Sequence, residues 1–259
     1  MSNIAMFSGG KDSTAQVILM LENNIPIDEI IMCDMGVEFP EIYNHVAKFE
    51  KYIGQKITIL KPEKPFIYWL AIHFRRKGKN PNEYYFDDMG NKCPVKKDGY
   101  HSSDVFVDTN TGYGWPDMGN RWCTAIKVAT INKYLKDKRN RLEFHGIAYD
   151  EQKRIDKNKD RNIRYILNEL KYTEQMALDL CYNRGFDFEG IYTKMKRVSC
   201  FCCPLQSIAD LRYLYNERKE LWEKMKFMDS QSFRTFQKGN TLRNFEIQFD
   251  NEKKQLKIF

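Results

Sequence analysis

The sequence predicts an α/β protein: a Rossmann-like, doubly wound parallel sheet with a long insertion after the third strand and a C-terminal helical, cysteine-containing extension. Three observations carry that expectation. The apolar run Asn3 to Phe7 breaks at Ser8-Gly9-Gly10 and gives way to Val17, Ile18 and Leu21 at helical spacing, which reads strand, loop, helix. A second run, Glu29 to Met35, is followed by a helical pattern from Pro40 to Tyr52 and then by the short run Ile57 to Leu60. Strands that alternate with helices predict parallel pairing, because the crossover helix returns each strand to the same direction.

From Pro62 to about Asn120 the periodicity fades. Aromatic, Gly, Asn and Asp residues crowd into segments such as 82–86 and 111–116, which reads as an insertion or lid. A helix is expected near Trp122 to Leu135 and a strand near Leu142 to Ile147. Thr173 to Asn183 reads as a helix capped by Thr173, with Gly185 beyond its end. Ile208, Leu211, Tyr215, Leu221, Trp222, Met225 and Met228 predict one long amphipathic helix, and the alternation Phe245-Glu246-Ile247-Gln248-Phe249 suggests a short strand or hairpin. The organisation that follows is a nucleotide-binding core from 1–61 and 121–172, a lid from 62–120, and a cysteine-containing helical region from 173–259 packed on the core.

Composition narrows the function classes. A hydrophobic fraction of 42% over 259 residues supplies a core, and no run approaches the roughly 20 apolar residues needed to cross a bilayer. Seven cysteines, an odd number, fit metal or redox chemistry in a reducing compartment better than a disulfide framework, so a cytoplasmic protein without membrane attachment is expected. The net charge of +7 suits a phosphate-rich partner, a nucleotide or a nucleic acid, although basic residues also simply solvate a surface.

Ser8-Gly9-Gly10-Lys11-Asp12-Ser13 lies between a strand's end and a helix's start. Two glycines let backbone N–H groups approach an anion, the helix N-terminus adds partial positive charge, and Lys11 adds a full one. The spacing is not that of the nucleoside-triphosphatase loop. An ordinary turn opening a helix is the competing reading, and the Lys, Asp and Ser that follow argue against it. Cys33 and Cys181 sit among apolar neighbours and read as packing residues; His45, His73, His101 and His145 are dispersed without ligand spacing.

This loop resembles the signature of the PP-loop, or ATP pyrophosphatase, superfamily, and three further stretches resemble its phosphoadenosine phosphosulfate reductase branch. Asp34-Met35-Gly36-Val37-Glu38-Phe39-Pro40-Glu41 is similar to that branch's Asp-Thr-Gly-x-x-Phe-Pro-Glu-Thr segment. Residues 146–154 are similar to its Gly-Ile-Arg-x-Asp-Glu-Ser-x-x-Arg stretch, departing at Ala148 and Gln152. Residues 121–127 resemble its cysteine-lysine segment. The resemblance implies an adenine nucleotide held by Ser8, Gly9, Gly10, Lys11, Asp12, Ser13, Asp34, Gly36, Gly146, Glu151, Arg121 and Lys127, with Lys11, Asp12 and Arg154 in catalytic roles and Mg²⁺ offsetting phosphate charge.

Cys200-Phe201-Cys202-Cys203-Pro204 completes the likeness. Cys200 and Cys203 form a C-x-x-C pair, and with Cys123 they make three thiolates. Adenylyl-sulfate reductases of the assimilatory bacterial type hold a 4Fe–4S cluster with a Cys-Cys pair at the Cys123 position, where this sequence has Trp122-Cys123. Cys93 is the preferred fourth ligand and Cys202 the alternative. A tetrahedral thiolate set serves an iron–sulfur cluster or zinc; the cluster is the first expectation, zinc the second, and reduced thiols in redox or sulfur transfer the third.

Reductases of the branch carry a redox cysteine in a C-terminal tail, whereas no cysteine follows Cys203 in this sequence. The expectation is therefore an enzyme that cleaves ATP to AMP and pyrophosphate and activates a substrate, DNA or RNA among the candidates, for sulfur transfer from a donor protein. The alternatives are a reductase giving sulfite from adenylyl or phosphoadenylyl sulfate, and a non-catalytic nucleotide sensor or nucleic-acid-binding module. The segment 75–79 and residues Tyr113, Trp115 and Arg121 are candidates for base stacking and phosphate contact, or for a lid folded on its own aromatic core. A homo-oligomer is also expected.

Overall fold

Alternation in the first two strands decides how the sheet is covered. In β1 (Ser2–Phe7), Ala5 and Phe7 enter the main core while Ile4 points to the opposite face; in β2 (Glu29–Cys33), Ile30 and Met32 go one way and Ile31 the other. The computed structural model describes residues 1–73, 112–156, 162–198 and 200–256, with the backbone alone at Tyr84–Phe86, Lys92–Pro94 and Leu256.

Between and after these strands come α1 (Lys11–Glu22), α2 (Pro40–Ile53) and β3 (Ile57–Leu60), then a π-helical turn at Tyr68–Ile72. β4 (Tyr84–Phe86) and β5 (Lys92–Pro94) pair antiparallel as a separate ribbon. α3 (Trp122–Leu135), β6 (Arg141–His145), α4 (Gln152–Ile155) and β7 (Ile163–Arg164) complete the central unit. The helices α5 (Ile166–Glu169), α6 (Glu174–Asn183), α7 (Ile191–Lys194), α8 (Ile208–Glu217), α9 (Lys219–Ser230) and α10 (Leu242–Leu256) follow.

The central sheet is all parallel, in the order β3-β2-β1-β6-β7. The chain winds outward from β1 to β3 on one side, then returns across the sheet to β6 and β7. The carboxyl ends of β1 and β6 therefore form the topological switch point, where connections leave to opposite sides and a crevice opens. Gln16 of α1, buried beneath this point, donates its amide to Phe144 O (3.0 Å) and Met6 O (3.3 Å), tying the two diverging strands together.

One face of the sheet carries most of the core, which runs on into α6 and α8 to α10 through Leu180, Leu211, Trp222, Met225 and Phe249. The other face is covered by α3, whose Leu135 and Ile131 meet Ile4, Ile31, Met6 and Leu60. From the region expected to be a lid, Phe66, Leu70 and Trp115 join the main core, and the Trp115 indole donates to Asp229 of α9 (2.8 Å). Trp115 is thus spent on packing and offers no face to a base; Tyr113 stacks on Trp122. The segments 75–79 and 82–86 lie outside the residues whose side chains are described.

Two expectations about the C-terminal region are corrected. The single long helix is two, α8 and α9, because Arg218 leaves helical geometry (φ −127°, ψ 53°) and pairs with Glu41 of α2. The suggested strand is helix α10. Leu242, Phe245 and Phe249 are buried at i, i+3 and i+7, while Ile247, the middle apolar residue of the alternation, is exposed. Among the described residues no helix is long and apolar enough to cross a membrane.

Candidate nucleotide site and cysteine loop

The loop after β1 turns by means of Gly9, whose φ of +76° few L residues adopt, and a Cβ there would stand 2.5 Å from Ile42 Cγ2 of α2. Ser13 closes the loop: its hydroxyl accepts from Ser8 N (3.1 Å) and lies 3.0 Å from Gly10 O. Gly10 is the N-cap of α1 and gives no side-chain cap. The Lys11 N–H donates instead to the Tyr192 hydroxyl (2.9 Å). Beneath the loop, Thr14 bonds His45 Nε2 at 2.8 Å inside an aromatic box of Phe7, Phe49, Phe186 and Phe188. Burial there drives the His45 pKa down to about 4.

The stretch after β6 lies directly against this loop. A Cβ on Gly146 would come within 2.9 Å of the Asp12 carbonyl, so only glycine lets the two switch-point connections touch. Further along, Glu151 receives Arg154 Nη1 on both carboxylate oxygens at 2.7 Å, and Asp150 accepts the Glu174 N–H at 3.1 Å.

Lys11 is buried with its ammonium 2.7 Å from Asp12 and 2.9 Å from Glu174. Burial opposes its charge, but the two carboxylates outweigh burial and raise its pKa. Burial likewise pushes the Asp12 carboxyl above its ordinary range against the pull of Lys11, and Glu174 and Glu151 add like-charge repulsion. One fixed cation thus stands at the helix N-terminus among three carboxylates.

The other expected nucleotide contacts divide. Asp34, buried, accepts from Gly36 N (2.7 Å) and the Tyr43 hydroxyl (2.8 Å), so it builds the turn after β2, where Gly36 has φ +76°. Arg121 is exposed at the start of α3, its Nη2 3.0 Å from Met118 Sδ. Lys127 turns to buried Glu38 (2.7 Å), beside the cysteines. Ser8 to Ser13, Gly146 and Glu151 gather at the switch point, whereas Lys127 belongs with the cysteine loop.

That loop docks on the segment after β2. Phe201 N donates to Val37 O (2.9 Å), Cys200 and Glu38 form an isolated β-bridge, and Gln206 Nε2 donates to the carbonyls of Cys200 and Phe201 (3.2 Å each). The Cys200 thiol donates to Glu38 Oε1 at 3.7 Å. Cys200 and Cys202 are pushed well above the ordinary thiol range by burial, and Cys123 is also raised, burial again leading. Cys123, Cys200 and Cys203 are close enough for Cys200 to feel the charge of the other two. Among the described residues, however, no three His, Cys, Asp or Glu side chains converge to hold a metal. The Cys93 side chain lies outside the described residues.

Cys33 and Cys181 are buried as expected. Sequence reasoning missed Glu174, Tyr192 and the pairing role of Glu38. Glu174 and Tyr192 are 163 and 181 residues from Lys11, and no local pattern announces a contact over such a distance. A cavity of about 590 Å³, lined by Ser2, Asp28, Glu29 and Lys138 among others, opens at the amino ends of the strands. The glycine loop and Lys11 lie at the opposite, carboxyl ends of the strands.

Known proteins agree with the geometry. Residues 2–73 match the phosphoadenosine phosphosulfate reductase domain. The chain is also similar to two uncharacterized proteins of Methanocaldococcus jannaschii, MJ0066 and MJ0973, each 24% identical over 238 residues. Those alignments take in 84% and 83% of this chain but 39% and 45% of the relatives, so the chain spans less than half the length of the curated relatives it matches. The matched residues 2–73 contain the glycine loop and the first three strands of the parallel sheet, so this part of the chain is similar to the phosphoadenosine phosphosulfate reductase domain.

Proposed function

We propose that the chain binds ATP at Ser8 to Ser13 and cleaves it between the α and β phosphates to activate an acceptor for sulfur transfer. The observation that carries this reading is the buried Lys11 at the N-terminus of α1, after a glycine loop, at the switch point of a parallel sheet. An acceptor oxygen forms a bond to the α-phosphorus as the α–β phosphoanhydride bond breaks. Pyrophosphate leaves and the acceptor carries AMP, which a sulfur nucleophile then displaces.

Lys11 and the first N–H groups of α1 oppose the charge that builds on the phosphates. Asp12, Glu151 and Glu174 favour a nucleotide that arrives with a cation, since carboxylates beside a bare polyphosphate are repulsive. Mg²⁺ arriving with ATP would lie beside Asp12, Glu151 and Glu174 and would supply that neutralisation. DNA or RNA is the proposed acceptor, on the strength of the +7 charge, and a sulfur-donor protein the proposed partner.

A cysteine-held 4Fe–4S cluster, or zinc, belongs to the same proposal. Cys123, Cys200 and Cys203 would supply three thiolates and Cys93 the fourth; since the first three do not converge on a metal position as they stand, binding would require them to move and Cys200 to leave Glu38. It is tested by iron and zinc analysis with the visible spectrum of anaerobically purified protein.

A reductase of adenylyl sulfates is the second reading, favoured by the domain matched at residues 2–73. One assay separates the two: pyrophosphate from ATP, stimulated by DNA or RNA, supports the first, and sulfite from adenylyl sulfate with thioredoxin but no pyrophosphate from ATP supports the second.

A further inference from the structure

Lys11 is held at three atoms by one stretch of chain. Its backbone N–H donates to Tyr192 OH (2.9 Å), its ammonium pairs with Glu174 (2.9 Å), and the Cys181 thiol donates to its carbonyl (3.4 Å). All three partners lie between residues 174 and 192, beyond the matched domain at 2–73. A phosphate at this loop needs two of the same groups, the first helical N–H and the ammonium.

The competing side chains are held in place. The Tyr192 hydroxyl sits 3.2 Å from the position a Gly10 Cβ would take, at the mouth of the loop, and its ring packs edge-on against Phe188 at 4.9 Å. Glu174 opens α6, where Thr173 caps the helix through Met176 N (3.3 Å) and Asp150 accepts the Glu174 N–H. Glu174, although its side chain is half exposed, stands on a helix packed against α1, and the Tyr192 ring is held by Phe188.

We propose that Tyr192 and Glu174 are positioning residues that compete with nucleotide phosphate for Lys11 and thereby set the affinity of the loop, an inference that rests on the nucleotide reading above. On binding, the Lys11 N–H exchanges the phenol oxygen for a phosphate oxygen, and the ammonium exchanges the Glu174 carboxylate for the phosphate. No covalent bond changes. The C-terminal region thus tunes a site built by the N-terminal one.

The test is calorimetric titration of the full chain with Mg²⁺·ATP, comparing wild type with Tyr192→Phe, Glu174→Gln, Glu174→Asp and Lys11→Ala. Tyr192→Phe keeps the ring on Phe188 and removes only the competing oxygen; it should bind about three- to tenfold tighter, the worth of one neutral hydrogen bond. Glu174→Gln and Glu174→Asp should each tighten binding about two- to fivefold, as expected for a pair whose carboxylate is half exposed. The Asp variant keeps the charge but falls a methylene short of Lys11. If it binds like wild type while the Gln variant tightens, bare charge explains the effect and the positioning role of Glu174 is overturned. Unchanged or weaker binding in Tyr192→Phe and Glu174→Gln, with wild type binding and Lys11→Ala binding about 10- to 100-fold more weakly, overturns the competition and leaves the nucleotide site standing. Absence of binding in wild type as well overturns both.

Discussion

The phosphate loop and the cysteine loop lie on the same carboxyl side of the sheet and treat charge in opposite ways. At Ser8 to Ser13 a buried lysine is kept charged among Asp12, Glu174 and Glu151, and glycines bring the backbone close. At Cys200 to Cys203 burial holds the thiols of Cys200 and Cys202 neutral, and the nearest charges, Glu38 and Lys127, are spent on each other. The first arrangement is suited to meeting an anion. The second is a closed polar cluster in which the Cys200 thiol is turned to Glu38. What separates them in the sequence is where the central residues lie, six contiguous positions in one case and three separate segments in the other, although both draw partners from afar, Glu174 and Tyr192 for the first and Glu38 for the second.

The largest effect that would sharpen this contrast is Gly9→Ala. Positive φ and the 2.5 Å approach to Ile42 together should cost about 2–4 kcal/mol, read as a lower denaturant midpoint. A cost below about 0.5 kcal/mol would mean that the loop's shape is not set by glycine.

Acid should strike the underside of the same loop next. His45 titrates at about 4 in the folded protein because burial penalises its charged form, against 6.5 for the ordinary group. Above pH 6.5 both states hold it neutral and its contribution is complete. As pH falls from 6.5 toward 4 the unfolded chain takes a proton the folded chain refuses, and stability drops by about 2–3 kcal/mol. Denaturation across that window should show the slope in wild type and lose it in His45→Gln.

At the cysteine loop the corresponding change is Lys127→Met, which leaves Glu38 buried without its cation. Lys127 is partly exposed, so the cost should be about 1–3 kcal/mol rather than that of a fully buried pair. A double-mutant cycle with Glu38→Gln should recover most of it; additive losses would break the view that the two charges serve each other. Smallest is Thr173→Ala, which removes the α6 cap at about 1 kcal/mol.

The same contrast explains what could be read in the sequence. The loop, the alternating strands and the Thr173 cap are local, written in residues a few positions apart, and the parallel sheet followed from their order. The break between α8 and α9 was not legible, because no glycine or proline marks Arg218 and its partner Glu41 lies 177 residues away. The α10 error has a physical source as well: Phe245, Ile247 and Phe249 satisfy a period of two, and only the burial of Leu242 with Phe245 and Phe249 selects the helix. Glu174 and Tyr192 escaped notice for the reason Glu38 did, since long-range polar contacts leave no periodic trace.

The central claim, that Lys11 and its loop hold a nucleotide for cleavage, is tested most directly by pyrophosphate release from Mg²⁺·ATP with and without DNA or RNA, in wild type and Lys11→Ala. Loss of the lysine's charged hydrogen bonds should weaken nucleotide binding about 10- to 100-fold and abolish release at ATP concentrations that saturate wild type. Equal release by Lys11→Ala and wild type would contradict the account.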